Sequence, residues 1–211
     1  MQLLIATRNA HKAREFRELL GDEFEICDLN AFPEMNLPAE TGATFEENAR
    51  LKAASVSQAR PPSAAATAGK QLLVVADDSG LEVDALGGAP GILSARYAGD
   101  NATDKQNIRK LLDELARAGA HEMSKRTARF RCVLALARRG EIFATFSGVA
   151  EGVIVDLPRG SQGFGYDPIF VPKGFDKTFG QLPAQLKNQI SHRARAIRAL
   201  RAGLANLEPG D

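Results

Sequence analysis

Short apolar runs alternating with helical stripes are the feature that most constrains this chain. Leu3-Leu4-Ile5-Ala6 is a continuous apolar run of the kind a buried strand requires. Thr7-Arg8-Asn9 ends it, and Ala13, Phe16, Leu19 and Leu20 then recur at helical spacing. Leu72 to Ala76 is the clearest second run, closed by Asp77-Asp78-Ser79-Gly80. Strand and helix signals in alternation predict one α/β domain over residues 1–211, with two lobes around a central cleft.

The same reading fills in the remaining elements. Gly21-Asp22 stops the first helix, and Phe24 to Cys27 reads as another strand. A loop with Pro33, Pro38 and Gly42 leads to Thr44-x-x-Glu47, the form of a capping box, which opens a helix to about Arg60. Pro61-Pro62 ends that helix, and the Ala/Ser/Thr-rich stretch to Gly69 reads as a flexible surface loop. Gly87-Gly88-Ala89-Pro90-Gly91 is a second loop, leading to a helix near Thr103 to Ala118. Phe130, Cys132, Leu134 and Leu136 alternate as a strand does, and Arg139-Gly140 is a hairpin turn into a strand from Glu141 to about Val155. Gly160 to Pro168 forms another loop before Ile169-Phe170-Val171. The last helix starts from Ser191, with Ile197, Leu200, Leu204 and Leu207 on one stripe.

Composition narrows the function classes. The 211 residues include 27 Lys plus Arg against 26 Asp plus Glu, for a formal charge of +1. A nucleic-acid coat protein normally carries a large basic excess, so no nucleic-acid partner is expected. Cys27 and Cys132 form no metal-ligand pattern, and two buried free thiols are expected, a single Cys27–Cys132 bridge being the alternative. No stretch approaches the roughly 18 apolar residues of a membrane span. No membrane partner is therefore expected, and a cytoplasmic location is.

Chemistry concentrates in a few segments. A strand that turns at Thr7-Arg8-Asn9-Ala10-His11-Lys12 into a helix aims N–H groups, the positive dipole end and the Lys12 charge at one place. That suits an anion; an Asn N-cap with a solvated lysine is the plain alternative. Asp77 and Asp78 at a strand's carboxyl end are costly unless paired or bound to a cation, and Mg²⁺ favours such hard oxygens. Glu40, Glu46 and Glu47 are further candidate ligands, although Glu47 suits a capping box and Glu46 an i,i+4 pair with Arg50. Phe45, Asn48 and Lys52 share one helical face. Gly163-Phe164-Gly165-Tyr166-Asp167-Pro168 could stack a base on aromatic rings; a tight turn between strands is the plain alternative. Ser191 is a good N-cap, which places His192 and Arg193 against the helix dipole. No acid lies between Lys177 and Leu207, so their partner must come from elsewhere or from a ligand.

Taken in order, Thr7-x-Asn9-x-x-Lys12, Thr44-Phe45-x-Glu47-Asn48-Ala49, Ala76-Asp77-Asp78-Ser79-Gly80-Leu81, Gly87-Gly88-Ala89-Pro90-Gly91, Phe164-Gly165-Tyr166-Asp167-Pro168 and Ile190-Ser191-His192-Arg193 resemble the inosine/xanthosine triphosphate pyrophosphatase family. The resemblance covers nearly the whole chain. It implies a mixed sheet with flanking helices and, as a rule, a homodimer. The implied reaction splits a non-standard purine nucleoside triphosphate such as ITP, dITP or XTP between its α and β phosphates. The products are monophosphate and pyrophosphate.

Residue by residue, the resemblance implies that Thr7, Arg8, Asn9, Ala10, His11 and Lys12 bind the triphosphate. Asp78 becomes the catalytic carboxylate, with Mg²⁺ on Asp78 and Glu40. Glu47 is a further candidate ligand, and Lys52 lies near the phosphates. Ser79 contacts substrate, and Phe164, Gly165, Tyr166, Asp167, Lys187, His192 and Arg193 form the base pocket. Arg8 stands where the family often has glycine, and Leu186 where it usually has glutamate. Two rivals are the septum-inhibitor-like nucleotide pyrophosphatases and a non-catalytic nucleotide-sensing module; the Asp77/Asp78 pair argues against the latter.

Overall fold

A computed structural model describes residues 1–59 and 72–206. The expected loop over 61–69, the end of the preceding helix near Arg60, and Leu207 lie outside the described residues. Six strands form one sheet in the order β2-β1-β3-β4-β5-β6. They are β1 Gln2–Ile5, β2 Glu25–Asp28, β3 Leu72–Val83, β4 Thr127–Arg138, β5 Glu141–Ile154 and β6 Phe170–Pro172. The sheet is mixed: β1 is parallel to both neighbours, whereas β5 and β6 are antiparallel. The helices are α1 Ala10–Leu20, α2 Phe45–Ala59, α3 Asp104–Arg117, α4 Ala184–Ile190 and α5 His192–Ala205.

The chain divides into two compact units, cut within β3 after Asp78, within β4 after Arg131 and within β5 after Ser147. The first contains residues 1–78, 132–147 and 194 onward. Its core takes Leu3 and Ile5 from β1, Leu73 and Val75 from β3, and Cys132, Leu134 and Leu136 from β4. Each set has the period of two that puts side chains on one sheet face. Phe16 and Leu20 of α1 and Ala196, Ile197, Leu200 and Leu204 of α5 join them. Leu4, Val74, Val133 and Ala135, pointing the other way, are buried as well. Burial on both faces explains why these strands read as unbroken apolar runs.

The second unit contains residues 79–131 and 148–193. Leu81 and Val83, Ile108, Leu111 and Leu115 of α3, and Phe130, Phe170 and Phe179 fill its core. α3 begins as a reciprocal box: Thr103 Oγ1 accepts from the Gln106 N–H, and Gln106 Oε1 accepts from the Thr103 N–H at 2.8 Å. The hairpin at Arg139-Gly140, in the first unit, is as the sequence predicts, with φ of 53° and 88° at the two turn residues.

Three expectations are corrected. β3 does not stop at Asp77 but continues to Val83. The aspartates do not end the strand because each has a lysine partner, and Leu81 and Val83 beyond them are core residues. A short helix, α4, precedes Ser191, so Lys187 is a helical residue. Of the two thiols, both free, only Cys132 is fully buried; Cys27 is intermediate.

Candidate active site

In the first unit the chemistry gathers where α1 and α2 bring lysines to the carboxylates of β3. The turn after β1 is fixed by its own side chains. Thr7 Oγ1 accepts from the Asn9 N–H at 3.1 Å, and Asn9 Oδ1 caps the N–H groups of His11 and Lys12 at 2.9 and 3.2 Å. Asn9 is therefore an N-cap that already satisfies two first-turn donors, which corrects the picture of a fully open amide nest. What the turn offers an anion is chiefly Lys12, one helical turn into α1. Its ammonium donates to Asp77 Oδ1. The other Asp77 oxygen accepts from the Cys132 thiol at 3.2 Å.

Arg8, expected on the phosphates, points elsewhere. Its guanidinium donates to the carbonyl oxygens of Leu29, Pro33 and Met35 at 2.9, 3.1 and 2.6 Å.

Lys52 organises the centre of the cluster. It is 5% exposed, and its ammonium donates to Asp78 Oδ1 at 2.8 Å, Glu40 Oε1 at 3.0 Å and the Asp77 carbonyl at 2.7 Å. Three hydrogens meet three oxygens, which is what keeps a buried ammonium tolerable. Burial works against its charge, but Asp78 and Glu40 outweigh that and hold its pKa above the ordinary lysine value. Asp78 is affected in the opposite sense to most paired acids: burial raises its pKa, and Lys52 only partly offsets this. A carboxylate so placed is a stronger base than one in water.

Asn48, fully buried, donates from Nδ2 to Asp78 Oδ2 at 3.4 Å, while its Oδ1 accepts from the Gly42 N–H at 2.8 Å. Asn48 and Cys132 were absent from the expected site. The helical stripe Phe45-Asn48-Lys52 carried the signal for the first, whereas nothing local marks the second.

Asp77, Asp78 and Glu40 make three carboxylates against the two ammonium groups of Lys12 and Lys52. That leaves net negative charge at a place where two hard oxygens, from Asp78 and Glu40, already converge on one cation. The donor set fits Mg²⁺, which takes one or two carboxylates and completes its shell with water and phosphate oxygens. Among the described residues no three acidic, imidazole or thiol groups form a metal cage. Glu47 does not fit, because its carboxylate accepts from the Ala43 N–H at 2.7 Å and Thr44 Oγ1 accepts from the Glu47 N–H at 3.1 Å. Its capping role prevails, shifted by one residue from the reciprocal box expected. Glu46 pairs loosely with Arg50 at 3.9 Å, again as an ordinary helix-surface pair.

In the second unit a separate cluster surrounds the partly buried Phe164. Lys187 Nζ lies 4.8 Å from its ring centroid and the Arg193 guanidinium 5.6 Å, so two cations lie over one aromatic ring. Lys187 donates to Asp167 Oδ2 at 2.6 Å, and the same oxygen accepts from the Phe164 N–H at 2.9 Å. A side chain at Gly163 (φ +75°) would strike that oxygen, its Cβ only 1.9 Å away, so glycine is required for this turn. Arg193 is 1% exposed and donates to Ser79 Oγ at 2.7 Å.

The partners absent from residues 177–207 thus come from Asp167 and Ser79. Leu186, where a glutamate was the usual residue, packs against the core, and Asp167 holds Lys187 instead. Gly165 donates its N–H to Asp104 at 2.6 Å.

Tyr166 and His192, each 4% exposed, are buried beside the same loop. The Tyr166 hydroxyl donates to the Ser94 carbonyl at 2.9 Å, and burial raises its pKa. His192 stacks on Phe130 with centroids 4.7 Å apart and planes at 11°. They shape the cluster from behind, leaving Phe164, Lys187 and Arg193 as its polar and aromatic face.

The comparisons with known proteins agree with the motif order. The Ham1 family profile matches residues 3–203. The dITP/XTP pyrophosphatase of Bacillus subtilis (strain 168) is 46% identical over 202 residues, covering 94% of each chain. The solved Ham1 protein of Staphylococcus aureus superposes with a TM-score of 0.80 at 40% identity, covering 97% of this chain and 98% of that one. A HAM1 protein from Coxiella burnetii gives 0.83 at 38% identity, covering 98% and 100%. Profile, relatives and fold coincide over almost the full length, and the chain belongs to the Ham1 family.

Proposed function

We propose that this chain hydrolyses non-standard purine nucleoside triphosphates, dITP, ITP and XTP, to the monophosphate and pyrophosphate. It acts as one nucleotide pyrophosphatase domain, residues 1–211. The observation that carries this reading is the setting of Asp78: a buried carboxylate held between Lys52 and Asn48, with Glu40 on the same lysine. The relatives named dITP/XTP pyrophosphatase support the substrate class.

In this reading Lys12 takes phosphate oxygens, while Lys52, its three hydrogens already engaged, holds Asp78 and Glu40 in place near the phosphates rather than binding them as expected. Asp78 orients the attacking water and accepts its proton as the α–β anhydride bond breaks and pyrophosphate departs. Asp78 and Glu40 would hold Mg²⁺, which would supply charge neutralisation at the phosphates. Phe164 gives the base a ring to stack on, while Lys187 and Arg193 offer donors to its oxygens; Ser79 presents Arg193. Thr7, Asn9, Ala10 and His11 serve as the frame of the Lys12 turn. Gly165, Asp167, Tyr166 and His192 frame the base-binding loop.

By resemblance the working form is a homodimer located in the cytoplasm, and light scattering in solution reads that mass directly. No described helix is long and apolar enough to cross a membrane.

The test is a panel of dITP, ITP, XTP, GTP and ATP with Mg²⁺, run on the wild type and Asp78→Asn. The first three are consumed much faster than the last two. Asp78→Asn loses about 10²- to 10⁴-fold in kcat, the usual share of a general base, and stays folded. Equal rates on all five nucleotides, or an active Asp78→Asn, contradict the proposal.

A further inference from the structure

Arg8 departs from the glycine that its motif often carries, and its side chain does something a glycine cannot. The segment 29–44 holds only one short helical turn, Leu29–Ala31, before α2 begins, so no sheet or long helix fixes it. Arg8 reaches into its first half. Nη1 donates to the Leu29 carbonyl at 2.9 Å, and Nη2 faces the carbonyls of Met35, Pro33 and Phe32 at 2.6, 3.1 and 3.4 Å.

The main chain adds bonds on either side. The Leu29 N–H donates to the Thr7 carbonyl at 3.2 Å, and Asn30 Nδ2 donates to the Arg8 carbonyl at 3.4 Å. Leu29 is fully buried and Met35 6% exposed, which anchors both ends of the clamped stretch. Five residues beyond Met35 the same segment presents Glu40 to Lys52. In the other direction, four residues beyond Arg8, the chain presents Lys12. A planar guanidinium has the forked geometry to hold several carbonyls at once; an ammonium of equal charge does not.

We infer that Arg8 is a positioning residue of this chain: it sets the phosphate-binding turn against the Glu40-bearing loop and does not itself contact phosphate. This rests on the reading of Lys12 and Glu40 as phosphate and metal residues. A charged hydrogen-bond donor on an exposed side chain is worth the lower end of its range, so truncation weakens polyphosphate binding roughly 5- to 10-fold.

The experiment is calorimetric titration of the full chain with inorganic triphosphate in Mg²⁺ buffer, comparing wild type, Arg8→Ala and Arg8→Lys, with Tm measured alongside. Both variants bind more weakly, and Arg8→Lys stays at least about 3-fold weaker than wild type because charge alone does not restore the fork. Binding by Arg8→Lys within about 3-fold of wild type overturns the inference, since a direct charge on phosphate would then suffice. A lowered Tm with unchanged affinity overturns it too, as does a wild type that does not bind. If Arg8→Ala fails to fold, Arg8→Lys decides by the same threshold. Hydrolysis of dITP by the same wild-type sample is scored separately, so failure of the function is distinguishable from failure of the role given to Arg8.

Discussion

Lys52 stays charged in a nearly dry setting because three oxygens surround its ammonium, and this balance explains much of the site. A pair of adjacent buried aspartates invites the suspicion of a metal or catalytic centre from sequence alone. The partners are less visible, because Lys12 and Lys52 lie 65 and 26 residues from the acids they bind. Local reading identifies the residue types; only the fold assigns Lys12 to Asp77 and Lys52 to Asp78. Arg8 shows the limit of motif logic, since a cation inside an anion-binding motif turned out to hold carbonyls.

Two substitutions separate the clusters functionally. Lys12→Ala weakens every triphosphate by a similar factor, roughly 10- to 150-fold, the equivalent of one charged hydrogen bond. Arg193→Ala instead lowers kcat/KM for dITP by roughly 10- to 100-fold and ATP far less. Arg has only donors, which match a 6-oxygen and not a 6-amino group. Steady-state kinetics with both nucleotides reads this. A base-selective Lys12→Ala, or an unchanged dITP/ATP ratio in Arg193→Ala, reverses the two assignments.

At the scale of elements, the long strand β3 is the informative case. Its first half was legible as an apolar run, and its second half was obscured by the aspartates that the lysines neutralise. α4 was missed for a related reason: it is short and its N-cap is Pro183, which makes no side-chain capping bond. Helices with a side-chain cap, such as α1 and α3, were readable to within a residue or two.

Strand β2 carries its own test. Asp28 ends it, bonding to Arg17 of α1 and, at 2.9 Å, to the Asn30 N–H. Burial raises the Asp28 pKa, but the Asn30 and Arg17 donors outweigh it and the net direction is down. A depressed acid stabilises the fold fully above its unfolded pKa, about 4, and loses that contribution as pH falls through the lower folded value. Asp28→Asn therefore lowers stability by about 1 kcal/mol near neutrality, with the gap closing in acid. Denaturant melts at neutral and acidic pH check this; a gap that widens in acid contradicts it.

At the scale of the whole molecule, each unit has its own apolar core, and each carries one chemical cluster. The first pairs carboxylates with lysines, and the second places two cations over an aromatic ring. The α/β class followed from alternating runs in the sequence. The division into units did not, because three strands pass from one unit into the other and no linker marks the change. The central claim of the proposed function is the bond that is cut. The direct measurement is ³¹P NMR of dITP incubated with the chain and Mg²⁺, followed to completion. Pyrophosphate and dIMP in equal amounts, with no orthophosphate, are expected; dIDP with orthophosphate would contradict the account.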